Sequence, residues 1–154
     1  LYVGWGVYGK DGFYVPGWAI EGDYGSIGWN WWLCDQFQSS EAERYWKNIN
    51  KIRGSRNEVP MFVHAQWVDA LPRPADTPPN QDDQLLSRTM GSFCINRHNG
   101  NVNGVFSDFS VRKIGLKELW ELRWYNGWQK DRRAAGTPNW PDWMRGFKDY
   151  ALNR

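Results

Sequence analysis

Two histidines, His64 and His98, and two cysteines, Cys34 and Cys94, are all this 154-residue chain has of imidazole and thiol. That scarcity excludes several chemistries. There is no H-E-x-x-H, the zincin pattern, and no G-x-S-x-G, the usual serine-hydrolase elbow. There is no G-x-x-x-x-G-K-S/T phosphate loop and no C-x-x-C-H haem attachment. The two cysteines lie 60 positions apart and form no C-x-x-C, so a zinc or redox motif has no support. Two readings of them stay open: two buried free thiols, or one disulfide, which would suit an extracellular protein. No apolar run approaches the roughly 18 residues a membrane span needs, so none is expected in this chain. No basic n-region with an apolar h-region opens it, so no signal peptide is expected. Its first residue is Leu1, which suggests a processed product or a fragment, with any leader or anchor lying outside it. Net charge is low as well: 19 basic against 17 acidic residues, a net of +2. That balance argues against a dedicated nucleic-acid binder.

Tryptophan, by contrast, is abundant: 12 of 154 residues, with aromatics at 17%. Indole is bulky and carries one N–H that wants a partner, so a small domain is expected to leave aromatic surface uncovered. Such a surplus usually meets sugar rings, another subunit or a partner protein. Trp29, Trp31, Trp32, Trp120, Trp124 and Trp128 are the candidates for a self-association surface.

Residues 1–33 are rich in Gly and aromatics and read as strands and turns. Residues 40–53 read as a helix. Ser40 and Glu43 fit a capping box, Ala42, Tyr45, Trp46, Ile49 and Ile52 follow helical spacing, and Gly54 stands at the C-terminal cap. Residues 59–68 read as a strand, with Pro60 at its start. Residues 70–83 read as loop, because Pro72, Pro74, Pro78 and Pro79 fit neither a helix interior nor a central strand. Residues 92–114 read as a three-stranded meander. Asn99-Gly100 is its first turn, the strongest short hairpin signal, and a break at Asp108 is its second. Residues 116–128 read as a helix with Leu116, Leu119, Trp120 and Trp124 on one stripe, ended by Asn126-Gly127. Residues 129–139 read as polar loop. Residues 141–150 read as a short last helix with Pro141 at its first position and Trp143 and Phe147 spaced i, i+4.

Charge is unevenly placed. The first 111 residues hold 9 basic and 12 acidic residues, a net of −3; the rest hold 10 and 5, a net of +5. The plain reading is a solvated basic face. The functional reading is a head-to-tail attraction between copies.

Few residues suggest catalysis or metal binding. Glu21 and Asp23 would have to face each other across a cleft to cleave a glycoside; as turn or surface carboxylates they need nothing more. Asp76, Asn80, Asp82 and Asp83 offer oxygen ligands for calcium, with Asp82 and Asp83 the weak candidates, but the loop lacks the Gly and the bidentate Glu of an EF-hand. No cofactor is expected. His98, just before the turn, reads as an imidazole serving the turn backbone rather than a ligand.

At His98 the residues resemble a known pattern. His98, nine residues, then Asp108 is similar to the His–nine–Asp-Gly signature of prepilin-associated domains, numerous in planctomycetes and related bacteria. Arg97, His98, Asn99 and Gly100 match its R-H-N-G; Phe109 stands where the family usually has Gly. The likeness extends over about residues 22–150. DYGSIGWNWWL, VPMFVHAQWVDALPRPADTPP, IGLKELWELRW and WPDWMRGFKDY resemble corresponding stretches. These proteins are similar to pseudopilins, the pilin-like subunits of type II secretion and type IV pilus systems. The resemblance implies a globular domain lacking the family's long apolar N-terminal helix, and assembly rather than catalysis. Its motif residues His98, Asn99, Gly100 and Asp108 are then a structural hairpin.

The expected fold is α+β: one domain over 1–154, with a small antiparallel sheet, the Asn99-Gly100 hairpin near its centre, and helices packed to one side. The expected function is that of a non-catalytic subunit of a filament, extracellular, at the cell surface or periplasmic. Its partners are copies of itself and other pilin-like subunits. The reading from another class is a Trp-rich carbohydrate-binding module, with Trp5, Trp18, Trp29, Trp31 and Trp32 as a stacking platform for polysaccharide.

Overall fold

A computed structural model describes residues 18–20, 23–35, 40–80 and 88–150. Side chains are described from residue 26 on. Strands β1 (Trp18–Ile20) and β2 (Asp23–Gly25) form a separate antiparallel ribbon. The main sheet holds β3 (Ile27–Asn30), β4 (Pro60–His64), β5 (Asp69–Ala70), β6 (Asn101–Phe106) and β7 (Val111–Gly115) in the order β5-β3-β4-β6-β7. Helices are few: α1 (Trp128–Ala135), α2 (Asp142–Arg145) and several single 3₁₀ turns. The chain is thus a small mixed α/β domain. The sheet is antiparallel except where β5 lies parallel to β3.

Alternation along the strands sets two faces. Val102, Gly104, Phe106, Val63, Gly28 and Asn30 point inward. They meet Trp32, Trp46, Phe93, Leu119, Trp120, Trp124 and Trp128, all buried. Asn30 is the polar centre of this layer. Its Nδ2 donates to Pro60 O and Trp124 O at 2.9 and 3.0 Å, and its Oδ1 accepts from Trp32 N. A buried amide with its bonds made fixes three segments at once.

Several expectations need correction. Residues 40–53 are turns and a 3₁₀ turn at Ile49–Lys51, not a helix. Trp46 N donates to Trp32 O, its Nε1 donates to Trp124 O, and Lys47 is left-handed at φ 57, so tertiary contacts replace helical ones. The helix expected over 116–128 is a 3₁₀ turn at Lys117–Trp120 followed by irregular chain. Trp124 Nε1 donates to Leu119 O and Arg123 N to Glu58 O, which draws this stretch onto the core instead. Gly127, at φ 95, starts α1 rather than ending a helix, so much of the expected polar loop 129–139 is helical. The expected strand 59–68 ends at His64. Residues 71–80 are loop, as their prolines required. Of the last helix expected over 141–150, only Asp142–Arg145 is helical, and Pro141 is its N-cap rather than its first residue.

The meander is half present. β6 and β7 are paired and turn at Asp108, but residues 92–98 are a 3₁₀ turn and irregular chain, not a strand. Met90 and Gly91 carbonyls take the N–H of Cys94, and Ser92 O takes Gln66 N, so this stretch is tied by turns. Asn99-Gly100 thus leads irregular chain into β6, next to the edge strand β7, and does not join two strands at the sheet centre.

Candidate functional site

The motif residues shape the backbone. Asn99 and Gly100 both have positive φ, 49 and 81, as a type I′ turn needs, and His98 N donates to Asn101 O at 3.1 Å. Gly100 is also crossed by another segment: a Cβ there would lie 2.7 Å from Phe147 Cδ1. Asp108 accepts from Ser110 N at 3.0 Å and Ser110 Oγ at 2.6 Å, closing the β6–β7 turn, and these bonds hold its carboxyl below the usual range. Phe109 takes the left-handed φ of 66.

His98 and Asp108 sit at opposite ends of β6 and are not brought together. His98 instead lies against His64, ring centroids 5.2 Å apart and planes tilted by 42°. His64 Nδ1 accepts from Asn103 N at 3.5 Å. Burial first, then the charges of Arg97 and His98, push the His64 pKa down.

The tryptophan candidates divide. Trp32, Trp120, Trp124 and Trp128 are fully buried and cannot form a surface in the folded chain. Trp31 is half-buried under the Arg88 guanidinium, which pairs with Asp69. Only Trp29 of the six is exposed. The sugar platform loses Trp32 for the same reason, and Trp5 and the Trp18 side chain lie outside what is described. Five described indoles, Trp32, Trp46, Trp120, Trp124 and Trp128, are buried in the core, while the exposed Trp29 leaves aromatic surface uncovered. Of the calcium loop, Asp82 and Asp83 lie outside the described residues. The Asp76 carboxylate accepts from Arg73 N and Met90 N, both 2.8 Å, and so holds the loop together. Cys34 and Cys94 are both free, and Cys94 is buried with Sγ 3.9 Å from Met144 Sδ. The +5 tail is not a uniform basic face, because Lys117 and Arg132 are buried and paired with Asp149 and Glu121.

What the fold does expose is the outer face of the sheet. Register places Trp29 beside Phe62, Phe62 beside Val105, and Val105 beside Val111. These four form one apolar row across β3, β4, β6 and β7, with Trp29 and Phe62 rings edge-to-face at 5.2 Å. Trp29 is 40% exposed, Ile27 51%, Val111 69% and Phe109, at the hairpin tip, 74%. Phe62 and Val105, between Trp29 and Val111, are half-buried. A contiguous apolar row that reaches the surface marks an interaction site more often than scattered apolar residues do. A shallow cleft of about 210 Å³ beside Tyr45, Trp46, Lys47 and Lys51 is smaller than a usual small-molecule site. The row was not legible before pairing was known. Alternation in β6 and β7 was its signal, but which alternate faces outward depends on the register.

Comparison with known families, curated proteins and solved structures finds no match to this chain.

Proposed function

We infer that this chain is the globular part of a pseudopilin-like subunit, a non-catalytic protein that works by self-association into a pilus-like or secretion-system filament at or outside the cell surface. The observation that carries the reading is the apolar row Trp29–Phe62–Val105–Val111 on the open face of the sheet, extended by Ile27 on the same face of β3. A face of this kind suits protein contact, where aromatic and aliphatic residues form the dry centre. The likeness of residues 97–108 and of the C-terminal block to prepilin-associated domains supports the same reading.

Sedimentation velocity and negative-stain imaging of the chain test it. Concentration-dependent assembly is expected, abolished in Trp29→Asp/Val111→Asp with the far-ultraviolet spectrum unchanged. A chain that stays monomeric while being retained on a polysaccharide column would replace this reading with the carbohydrate-binding one.

A further inference from the structure

β7 is one edge of the main sheet. Phe106 N bonds to Ser110 O and Leu116 N to Gly100 O at the two ends of the β6–β7 ladder. Antiparallel bonding alternates, so between these ends Arg112 and Ile114 exchange bonds with β6. The peptide groups of Val111, Lys113 and Gly115 therefore face the open edge. Gly115 N is taken by Glu118 Oε2 and Lys113 O by Arg112 Nη1. The N–H and C=O of Val111 and the N–H of Lys113 find no partner among the described residues. Such an edge is a template for another strand, and the apolar row of the outer face ends on it at Val111.

Two copies of β7 do not suit each other. A two-fold about Lys113 sets lysine opposite lysine, and like charges directly opposite are destabilising. The charge asks for an acidic strand. The β1–β2 ribbon meets that need. Residues 18–25 carry two carboxylates, Glu21 and Asp23, and no basic residue, and β1 itself reads Trp-Ala-Ile. β2, which carries Asp23, is three residues long, the span from Val111 to Lys113, and is the strand that would lie along the edge. The ribbon also stands apart from the main sheet, and a two-stranded ribbon alone in water is marginal at best.

We propose that the β7 edge of one copy takes the β1–β2 ribbon of a second copy, extending the five-stranded sheet by strand addition. This rests on the self-association reading and names its interface. The contact is heterologous, ribbon to edge, so a pair of copies keeps one free ribbon and one free edge, and repetition without closure gives a fibre.

Val111→Pro in the 154-residue chain tests the edge. It removes an N–H that β6 does not use, and proline is tolerated on an edge strand facing outward. Association by sedimentation equilibrium should weaken about tenfold, equivalent to 1.4 kcal/mol, with the melting temperature held. Lys113→Glu, at an exposed position, and Asp23→Lys test the partner. Each alone should associate more weakly than wild type, and an equimolar mixture should recover association because each supplies the charge the other needs. Undiminished association of folded Val111→Pro overturns this interface and leaves the self-association reading standing. Failure of the mixture to recover overturns the ribbon as occupant. A wild-type chain that never associates removes both.

Discussion

Five indole N–H groups donate to backbone carbonyls: Trp32 to Pro72, Trp46 to Trp124, Trp120 to Asp76, Trp124 to Leu119 and Trp143 to Pro79. Three of those carbonyls belong to the proline-rich loop. A domain with so little regular helix leaves many carbonyls without a ladder partner, and tryptophan supplies both the donor and the bulk. Trp128 is the contrast, being fully buried with Nε1 lacking a partner among the described residues. Trp124→Phe should therefore cost about 1–2 kcal/mol more than Trp128→Phe, since it alone leaves a buried carbonyl unpaired. Denaturant unfolding of the two variants measures the difference. His64 gives a pH dependence. Its folded pKa is depressed, so the folded state disfavours its protonation. Its contribution is full above the ordinary imidazole pKa of about 6.5 and is lost as pH falls from there through the depressed folded value. The melting temperature of wild type should drop relative to that of His64→Gln over this acidic window; parallel curves would show that His64 does not titrate with unfolding.

At the scale of elements, the two turns that flank β6 differ in how they meet left-handed backbone. Gly100 meets it without a Cβ, and the space where one would go is filled by Phe147 from the segment after α2. That segment is held by Met144 in the core, Trp143 on Pro79 and Asp149 on the buried Lys117 at 3.0 Å. Gly100→Val should cost about 2 kcal/mol or more, combining the wrong side of φ with a steric clash. Unchanged thermal stability would refute the turn. Phe109 meets the same backbone region with a side chain and is largely exposed, so little packing is lost by removing it. Phe109→Gly should be neutral or stabilising by about 0.5 kcal/mol, as relief of left-handed strain exceeds the added chain entropy. A loss of more than about 1 kcal/mol in the same unfolding assay would show that the ring packs on something in solution.

For the whole molecule, the proposed self-association would give charge and apolar surface separate roles. On that proposal, the net of −3 over the first 111 residues and +5 over the rest would favour head-to-tail approach. Exposed charges act mainly on encounter and orientation, and salt screens them within about 8–10 Å. Apolar burial, at about 25 cal/mol per Å² before association costs, should hold the finished contact. Raising salt should therefore slow the growth of light scattering without dissolving assembled material. Disassembly at high salt would mean that the charges, not the sheet face and edge, hold the copies together.

Local chemistry decided some of this protein by itself. Prolines at 72, 74, 78 and 79 forbid regular structure there whatever surrounds them. Asn99-Gly100 adopts positive φ because Asn and Gly tolerate that region best, and Asp108 closes its turn through a hydroxyl and an N–H two residues away. The apolar positions of 40–53 and 116–128 were legible as core, since Tyr45, Trp46, Ile52, Leu119, Trp120 and Trp124 are all buried. Their helical state was not, because helical spacing only marks which residues go inside. Whether their N–H groups then bond along the chain or across it depends on what lies opposite, and here Trp32, Glu58 and Arg44 carbonyls compete successfully. The proposed interaction surface belongs wholly to the tertiary structure. Counting tryptophans pointed to the six most conspicuous indoles, of which four fill the core. The outer row is built from residues far apart in the chain, Trp29, Phe62, Val105 and Val111, which become neighbours only when strand register sets them side by side.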